Sequence, residues 1–298
     1  MRRWLYFINE RFSPLSYSAM IFVFLSAHYV LYINFMKQDV VFNAGNLLHL
    51  IPLVLATTLF FFKLRLLDEV KDAESDAVHH PERPLPRRIL SESEVTRTAF
   101  IMMVAEITLF SYYGSWAFLS VMIAVGYSLV MYKEFFVKSW LREHLATYAV
   151  THTFVVVFLS LTIFAALFNK SLVETPLYLI YFSLAGWFLF NIFEFGRKTF
   201  AGSEEKEEVA SYSKIFGKLG AVLLVLVMAV LSIMFIGKVS FPFISNILFL
   251  SLIPIATAGL IYSLSDHLLY AKIYRALTSL YIIFTYGVVA FIVGFSIF

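Results

Sequence analysis

About nine long apolar stretches constrain this chain more than any other feature. They run near Tyr17 to Phe35, Leu47 to Phe62, Val95 to Tyr113, Trp116 to Tyr132, Leu145 to Phe168, Pro176 to Phe195, Ile215 to Ile236, Phe241 to Ser263 and Ala276 to Phe298. Each approaches or reaches the ~20 residues with which a helix crosses a ~30 Å hydrocarbon core. The stretches are continuous rather than alternating, which selects helices over a transmembrane β-barrel. With 60% apolar and only 14% charged residues, the composition excludes a water-soluble domain. The expected fold is an all-α, polytopic membrane bundle of about nine helices, forming a single domain over residues 1–298. The first stretch is too long for a signal-peptide core and is followed by no small-residue cleavage pattern, so it is expected to remain in the mature protein.

Lys and Arg collect between alternate stretches. With the amino terminus inside, all but Lys37, Lys170 and Lys238 fall in cytoplasmic segments, which predicts a multi-pass protein of the cell membrane with its charged loops in the cytoplasm. The formal charge of +3 is dispersed among loops that also hold most of the acids. That pattern suits anionic lipid headgroups and gives no footprint for nucleic acid, and no obligate protein partner is evident. The absence of cysteine removes disulfides, thiolate nucleophiles and Cys-ligated metals.

Two of the inside loops are long and densely charged, from about Lys63 to Glu94 and from about Glu194 to Lys214. They follow the second and sixth stretches, a faint sign of a duplicated half. In the first loop, a helix continued through Asp76 places Asp68, Asp72, Asp76 and Glu69 at about 0°, 40°, 80° and 100° around its axis, with Arg65 near 60° among them. Carboxylates sharing a face repel one another and attract cations. Hard oxygen donors suit Mg²⁺, which takes one or two carboxylates together with phosphate oxygens and water. Pro81, Pro84 and Pro86 then stiffen a loop able to bring Arg83 back over the site. A solvated, charge-mixed loop is the competing reading of the same residues.

This run resembles the first aspartate-rich motif of the UbiA superfamily of intramembrane prenyltransferases, Asn-Asp-x-x-Asp-x-x-x-Asp followed by Arg-Pro-[Leu/Ile]-Pro. Asp68 stands at the Asn and Glu69 at the first Asp; Asp72, Asp76 and Arg83-Pro84-Leu85-Pro86 match, and Arg87-Arg88 replaces the family's Ser-Gly. The nine-helix layout agrees along the whole chain, while the residue-level likeness is strong only from about Arg65 to Pro86. The second motif departs: no Asp is present in the second charged loop, where Glu194, Arg197 and Lys198 are followed by the acidic run Glu204 to Glu208. An ordinary helical ion pair at Glu194 and Lys198 and a solvated acidic face explain those residues equally well.

The resemblance implies Mg²⁺-dependent transfer of a prenyl group from an allylic isoprenoid diphosphate to an aromatic or lipid-like acceptor. It puts Asp68, Glu69, Asp72, Asp76 and Glu194 at the metal. Arg65, Arg83, Lys133, Arg197 and Lys198 fall to the diphosphate, and Asp72, Asp76, Arg65 and Lys133 carry the catalytic role. Tyr127 and His152 are the candidates for the acceptor pocket, although Thr147, Thr151, His152 and Thr153 read equally as interhelical hydrogen-bonding groups. Arg11 resembles the family's entry to its first helix, and serves as well for a topological anchor. Glu106, mid-membrane in the third stretch, is an ionisable group that demands an explanation. His79 and His80 are adjacent and so do not share a helix face, which argues against a chelating pair. A transporter using the same cavity, and a UbiA-like protein that binds isoprenoid diphosphate without turnover, are the alternative functions.

Overall fold

The computed structural model describes residues 2–36, 44–207, 209–239 and 242–297. The Met36 to Gly45 connection, Glu208 and the Gly237 to Ser240 turn lie wholly or partly outside the described residues. Thirteen α-helices appear in chain order: α1 Arg2–Arg11, α2 Pro14–Met36, α3 Ala44–Lys71, α4 Ala73–His79, α5 Glu92–Ser111, α6 Ser115–Tyr132, α7 Lys138–Glu143, α8 Leu145–Thr153, α9 Val155–Phe168, α10 Leu177–Arg197, α11 Tyr212–Ile236, α12 Pro242–Leu264 and α13 Leu268–Ile297. No strand occurs among the described residues.

Eight spans are both long and apolar enough to cross a bilayer among the described residues. The 20-residue α5 has the length as well, but Glu92, Glu94, Arg97 and Glu106 lower its hydropathy. Its start is set by chemistry rather than by the apolar run: the Ser91 hydroxyl accepts from the Glu94 N–H at 3.2 Å, and the Glu94 carboxylate accepts from the Ser91 N–H at 2.9 Å. This capping box begins the helix three residues before the first apolar position, Val95.

The expected span from Leu145 to Phe168 divides at Phe154 into α8 and α9. Three consecutive side chains explain the bend by bonding back to carbonyls one turn earlier: Thr151 to Thr147 at 2.8 Å, His152 to Tyr148 at 2.7 Å and Thr153 to Ala149 at 2.9 Å. Such bonds compete for the ladder and bend the helix. The second expected span, by contrast, runs on past Phe62 to Lys71. The bonds Asp72 N–H to Asp68 O at 3.0 Å and Asp76 N–H to Asp72 O at 2.8 Å carry the helical direction across a break at Asp72 into α4.

Packing pairs α3 with α5, α10 with α11, α13 with α2, and α6 with α9. One continuous apolar core runs through the bundle, and a smaller one under α1 gathers Phe7, Leu66, Leu85, Leu90 and Val95 at the charged end. In lipid no hydrophobic force separates protein core from solvent, so close contacts and polar pairs hold helices together. His28, Ser160 and Ser183 form such a tie across α2, α9 and α10, with both links at 2.7 Å. Gly196 serves close approach: any Cβ there would collide with the Thr278 side chain, so glycine lets α10 lie against α13 just below Arg197.

Candidate active site at the charged end of the bundle

The first-motif carboxylates do not converge. On α3, Asp68 accepts from Lys71 at 2.9 Å and keeps 40% of its side chain accessible. Glu69, one residue on, turns to the other side, where Arg11 at 2.7 Å and Arg65 close on the same oxygen and leave it 2% exposed. Asp72 at the helix break is 42% accessible, with Arg142 at 4.0 Å. On α4, Asp76 is gripped by Arg83 at 2.5 Å and is 7% accessible. A rotation of 100° per residue already separates Glu69 from Asp68, and pairing with Arg11 holds it there. Among the described residues no three Asp, Glu or His side chains meet closely enough to cage a metal ion.

Around Asp68 and Asp72 the structure assembles a mixed ionic shell. Tyr148 of α8 accepts from the Lys71 ammonium at 2.7 Å, and Lys71 is itself 7% exposed. The imidazole of His152 and the guanidinium of Arg65 act electrostatically on Asp68, and Asp68 in turn acts on Arg197. Tyr17 of α2 lies within the fields of Arg65, Asp68, Arg197 and Arg11. Two partly accessible carboxylates one turn apart thus lie within the electrostatic reach of side chains from α2, α3, α8 and α10. The enclosed setting pushes the Asp72 carboxyl above its ordinary range; Lys71 opposes this, and the charges of Asp68 and Asp76 reinforce it.

The second-motif residues form an ion-pair cluster of their own at the end of α10. Arg197 grips Glu194 with two bonds, at 2.5 and 2.9 Å, and Lys198 approaches the same carboxylate at 3.4 Å. Glu194 is 14% accessible and Arg197 47%. Burial holds the Lys198 ammonium below its ordinary value, against the attraction of Glu194. Two cations on one carboxylate leave a surplus of positive charge at the end of α10. Glu194 therefore stands with its own cations and apart from Asp68 and Asp72.

The loops over this end are braced to the bundle. Arg275 of α13 donates to both Glu204 oxygens at 2.7 and 2.8 Å, and Lys206 reaches the His79 carbonyl at 3.3 Å, tying the second loop to the first. Burial acts to raise the Glu204 carboxyl, but its bonds to Arg275 and to the Ala201 N–H hold it below the usual range. A separate cleft of about 580 Å³, lined by Arg3, Ala73, Ala77, Leu85 and Arg88 among others, has no motif carboxylate in its wall.

At the carboxyl end of α6, Lys133 is exposed and lies 5.0 Å from the Tyr132 ring. The Tyr127 hydroxyl is committed to the Thr151 carbonyl at 2.7 Å, and its ring meets Phe135 and Phe158. Directly after Lys133 the backbone turns left-handed through Glu134, Phe135 and Phe136, with φ of 49°, 53° and 59°. Each such residue costs about 1–2 kcal/mol, so three in a row are stored strain that the surroundings must over-determine. The restraint is Glu134, 3% exposed, bonded to the Arg142 guanidinium at 2.8 Å. Sequence reasoning did not single out Lys71, Tyr148, Phe135 or Arg142. Lys71 had a usable signal, three residues after Asp68 on one helix face; the other three are joined to the cluster around Asp68, Asp72 and His152 by tertiary contacts alone.

A bundle of membrane-length helices that gathers acids and bases at one end defines an integral, multi-pass membrane protein. The chain belongs to the UbiA prenyltransferase family, whose sequence profile matches residues 19–276. Membership implies an intramembrane prenyltransferase acting on isoprenoid diphosphate and lipophilic acceptors. Two solved structures share the fold at a TM-score of 0.60 each. One, of digeranylgeranylglyceryl phosphate synthase, is 16% identical over 99% of both chains. The other, an apo UbiA homologue from Aeropyrum pernix K1, is 13% identical over 92% of this chain and 98% of its own. No curated protein matches the sequence.

Proposed function

We propose that this protein transfers a prenyl group from an allylic isoprenoid diphosphate to an aromatic or lipid-like acceptor, at the cluster around Asp68 and Asp72, with Mg²⁺ as cofactor. The observation that carries this reading is the placement of two accessible carboxylates, Asp68 near the end of α3 and Asp72 just past it, within the electrostatic reach of Arg197 and Lys198 at the end of α10. Mg²⁺ typically uses one or two carboxylates and completes its shell with phosphate oxygens and water, so this donor set fits it without an all-protein cage. Asp68 and Asp72 would hold the ion, and when bound it would neutralise the leaving diphosphate.

The remaining work falls to the chain's own groups. Arg197 and Lys198 are placed to receive diphosphate oxygens by charge-assisted hydrogen bonds. Arg65 and Lys71 hold the geometry of Glu69 and Asp68, and Lys133 stands ready at the carboxyl end of α6. Asp76, in this reading, anchors Arg83 and the proline-stiffened loop rather than a metal, and Glu69 anchors α1 through Arg11. Departure of diphosphate leaves an allylic cation, which fixed dipoles and exclusion of water protect until the acceptor attacks. Tyr127 and His152, beside that cluster on the α6 and α8 side, form the acceptor pocket. The whole chain acts as one membrane domain, with its amino terminus and charged loops in the cytoplasm.

Purified protein given geranylgeranyl diphosphate, Mg²⁺ and a membrane extract should release diphosphate and form prenylated lipid, read by mass spectrometry. Excess chelator should stop both. Undiminished product in chelator removes the metal from the proposal, and diphosphate bound without release selects a binding protein instead.

A further inference from the structure

Two costs of the fold fall on the same few residues beside the cluster around Asp68 and Asp72. The first is at His152, whose Nδ1 lies 2.7 Å from the Tyr148 carbonyl oxygen. A carbonyl only accepts, so Nδ1 carries a proton, and in the neutral imidazole Nε2 then presents a lone pair. Nε2 is buried and has no hydrogen-bond partner among the described residues. Buried acceptors are almost always paired, and one that is not asks for an explanation.

The second is the left-handed turn. Its middle residue, Phe135, stands edge-on to the His152 ring, with centroids 5.6 Å apart and planes at 83°, and also meets the Tyr127 ring at 5.5 Å. A side chain of this size disfavours that backbone conformation. The turn persists because Glu134 is pinned by Arg142, which also lies 4.0 Å from Asp72. A strained segment thus holds an aromatic ring perpendicular to an imidazole whose Nε2 lacks a donor among the described residues, while the Tyr148 ring stacks on the imidazole at 3.8 Å.

The geometry points to a subsite for the polar head of the acceptor: an O–H or N–H group on an otherwise apolar molecule donates to His152 Nε2, and Phe135 is the residue whose ring admits or excludes it. The inference rests on the prenyl-transfer reading above and narrows its acceptors to molecules with a hydrogen-bond donor near the reacting end. An ether or a pure hydrocarbon of the same shape leaves Nε2 unpaired and is discriminated against. Phe135 is a specificity-determining residue, and His152 a binding one.

The test is footprinting of the full chain in detergent with diethyl pyrocarbonate, which acylates the unprotonated imidazole nitrogen, read by mass spectrometry at His152. Exposed His267 serves as the internal control. Phe135→Ala should speed labelling of His152 about tenfold, the scale of uncovering one unpaired buried polar group. Phe135→Asn removes the ring with a residue that tolerates positive φ, so a folding defect of the alanine variant does not decide the matter. In both variants 2-naphthol should slow labelling of His152, and 2-methoxynaphthalene should not.

Labelling at the wild-type rate in Phe135→Asn overturns the gate. Equal protection by both naphthalenes, or by neither, overturns the donor requirement. None of these readouts needs turnover. Diphosphate release without naphthol protection removes the subsite and leaves prenyl transfer standing, whereas protection without any diphosphate release does the reverse.

Discussion

Helix α3 carries two ionic clusters less than two turns apart, and they are opposite in kind. Lys63 and Glu106 meet at 2.5 Å between α3 and α5, with side chains 1% and 0% exposed. Five residues on, Asp68 meets Lys71 at 2.9 Å and remains 40% accessible. The Lys63 ammonium also lies 4.0 Å over the Phe60 ring, while Glu106 Oε2 has no partner among the described residues. Charges sealed in this way have no route to a substrate and serve to fix how two helices register. The charges left accessible among several cations are the ones assigned to the proposed site. Accessibility, rather than the presence of charge inside the membrane, separates structure from function here.

Substitution at the sealed pair should give the largest effect on stability. Lys63→Ala leaves Glu106 buried and uncompensated, which typically costs 3–5 kcal/mol, and should appear as a large fall in thermal unfolding temperature in detergent. Lys63→Met combined with Glu106→Leu should recover most of it, because the double replacement leaves no charge to desolvate. Failure of the double variant to recover would show that Glu106 does more than answer Lys63. At the accessible cluster the signs reverse: Asp72→Asn should leave unfolding unchanged and lower diphosphate release about 100-fold, equivalent to ~2.7 kcal/mol of transition-state stabilisation. Comparable instability in both clusters would erase the distinction.

How much of this was legible in the sequence follows the same division. The apolar lengths and the Lys and Arg asymmetry were enough to expect an all-helical membrane bundle, and the Asp68-to-Pro86 pattern pointed to the family. Periodicity placed Asp68, Asp72, Asp76 and Glu69 within a 100° sector, but it could not say which of them a basic side chain would claim. Arg11 takes Glu69 from 58 residues away, and Arg83 takes Asp76 by folding back seven. Glu106 read as an intramembrane puzzle because its partner sits on another helix. The turn at Glu134 to Phe136 had no signature at all, since none of its residues is one that favours positive φ. Local pattern fixes which face a residue occupies; long-range pairing decides whether that face is a site.

Smaller effects sharpen the border between the clusters. Tyr148 is the accessible cluster's only uncharged bond to Lys71 among the contacts described above, and Tyr148→Phe removes it. A hydrogen bond to a charged group contributes about 1.5–3 kcal/mol, less where the ammonium retains its carboxylate. Activity should therefore fall about tenfold, with the substrate KM rising less than kcat falls if Lys71 positions Asp68 rather than binding diphosphate. An unchanged kcat would place Lys71 outside the chemistry.

The smallest effect belongs to the brace over the charged end. Glu204 is held below the ordinary carboxylate range chiefly by Arg275, with Lys272 adding a weaker attraction, while burial pulls the other way. A carboxylate depressed in the folded state stabilises that state fully above its unfolded value, near 4.3, and the contribution disappears as pH falls through the lower folded value. Wild-type unfolding temperature should therefore decline more steeply below about pH 4.3 than that of Glu204→Gln, which has no proton to gain. Near neutral pH the variant should be only slightly less stable, because the amide still accepts from Arg275. Parallel acid profiles for the two proteins would mean that the second loop is held instead by Lys206 and by Asp266, which accepts from the Gly202 N–H at 3.1 Å and from Lys218 at 2.5 Å.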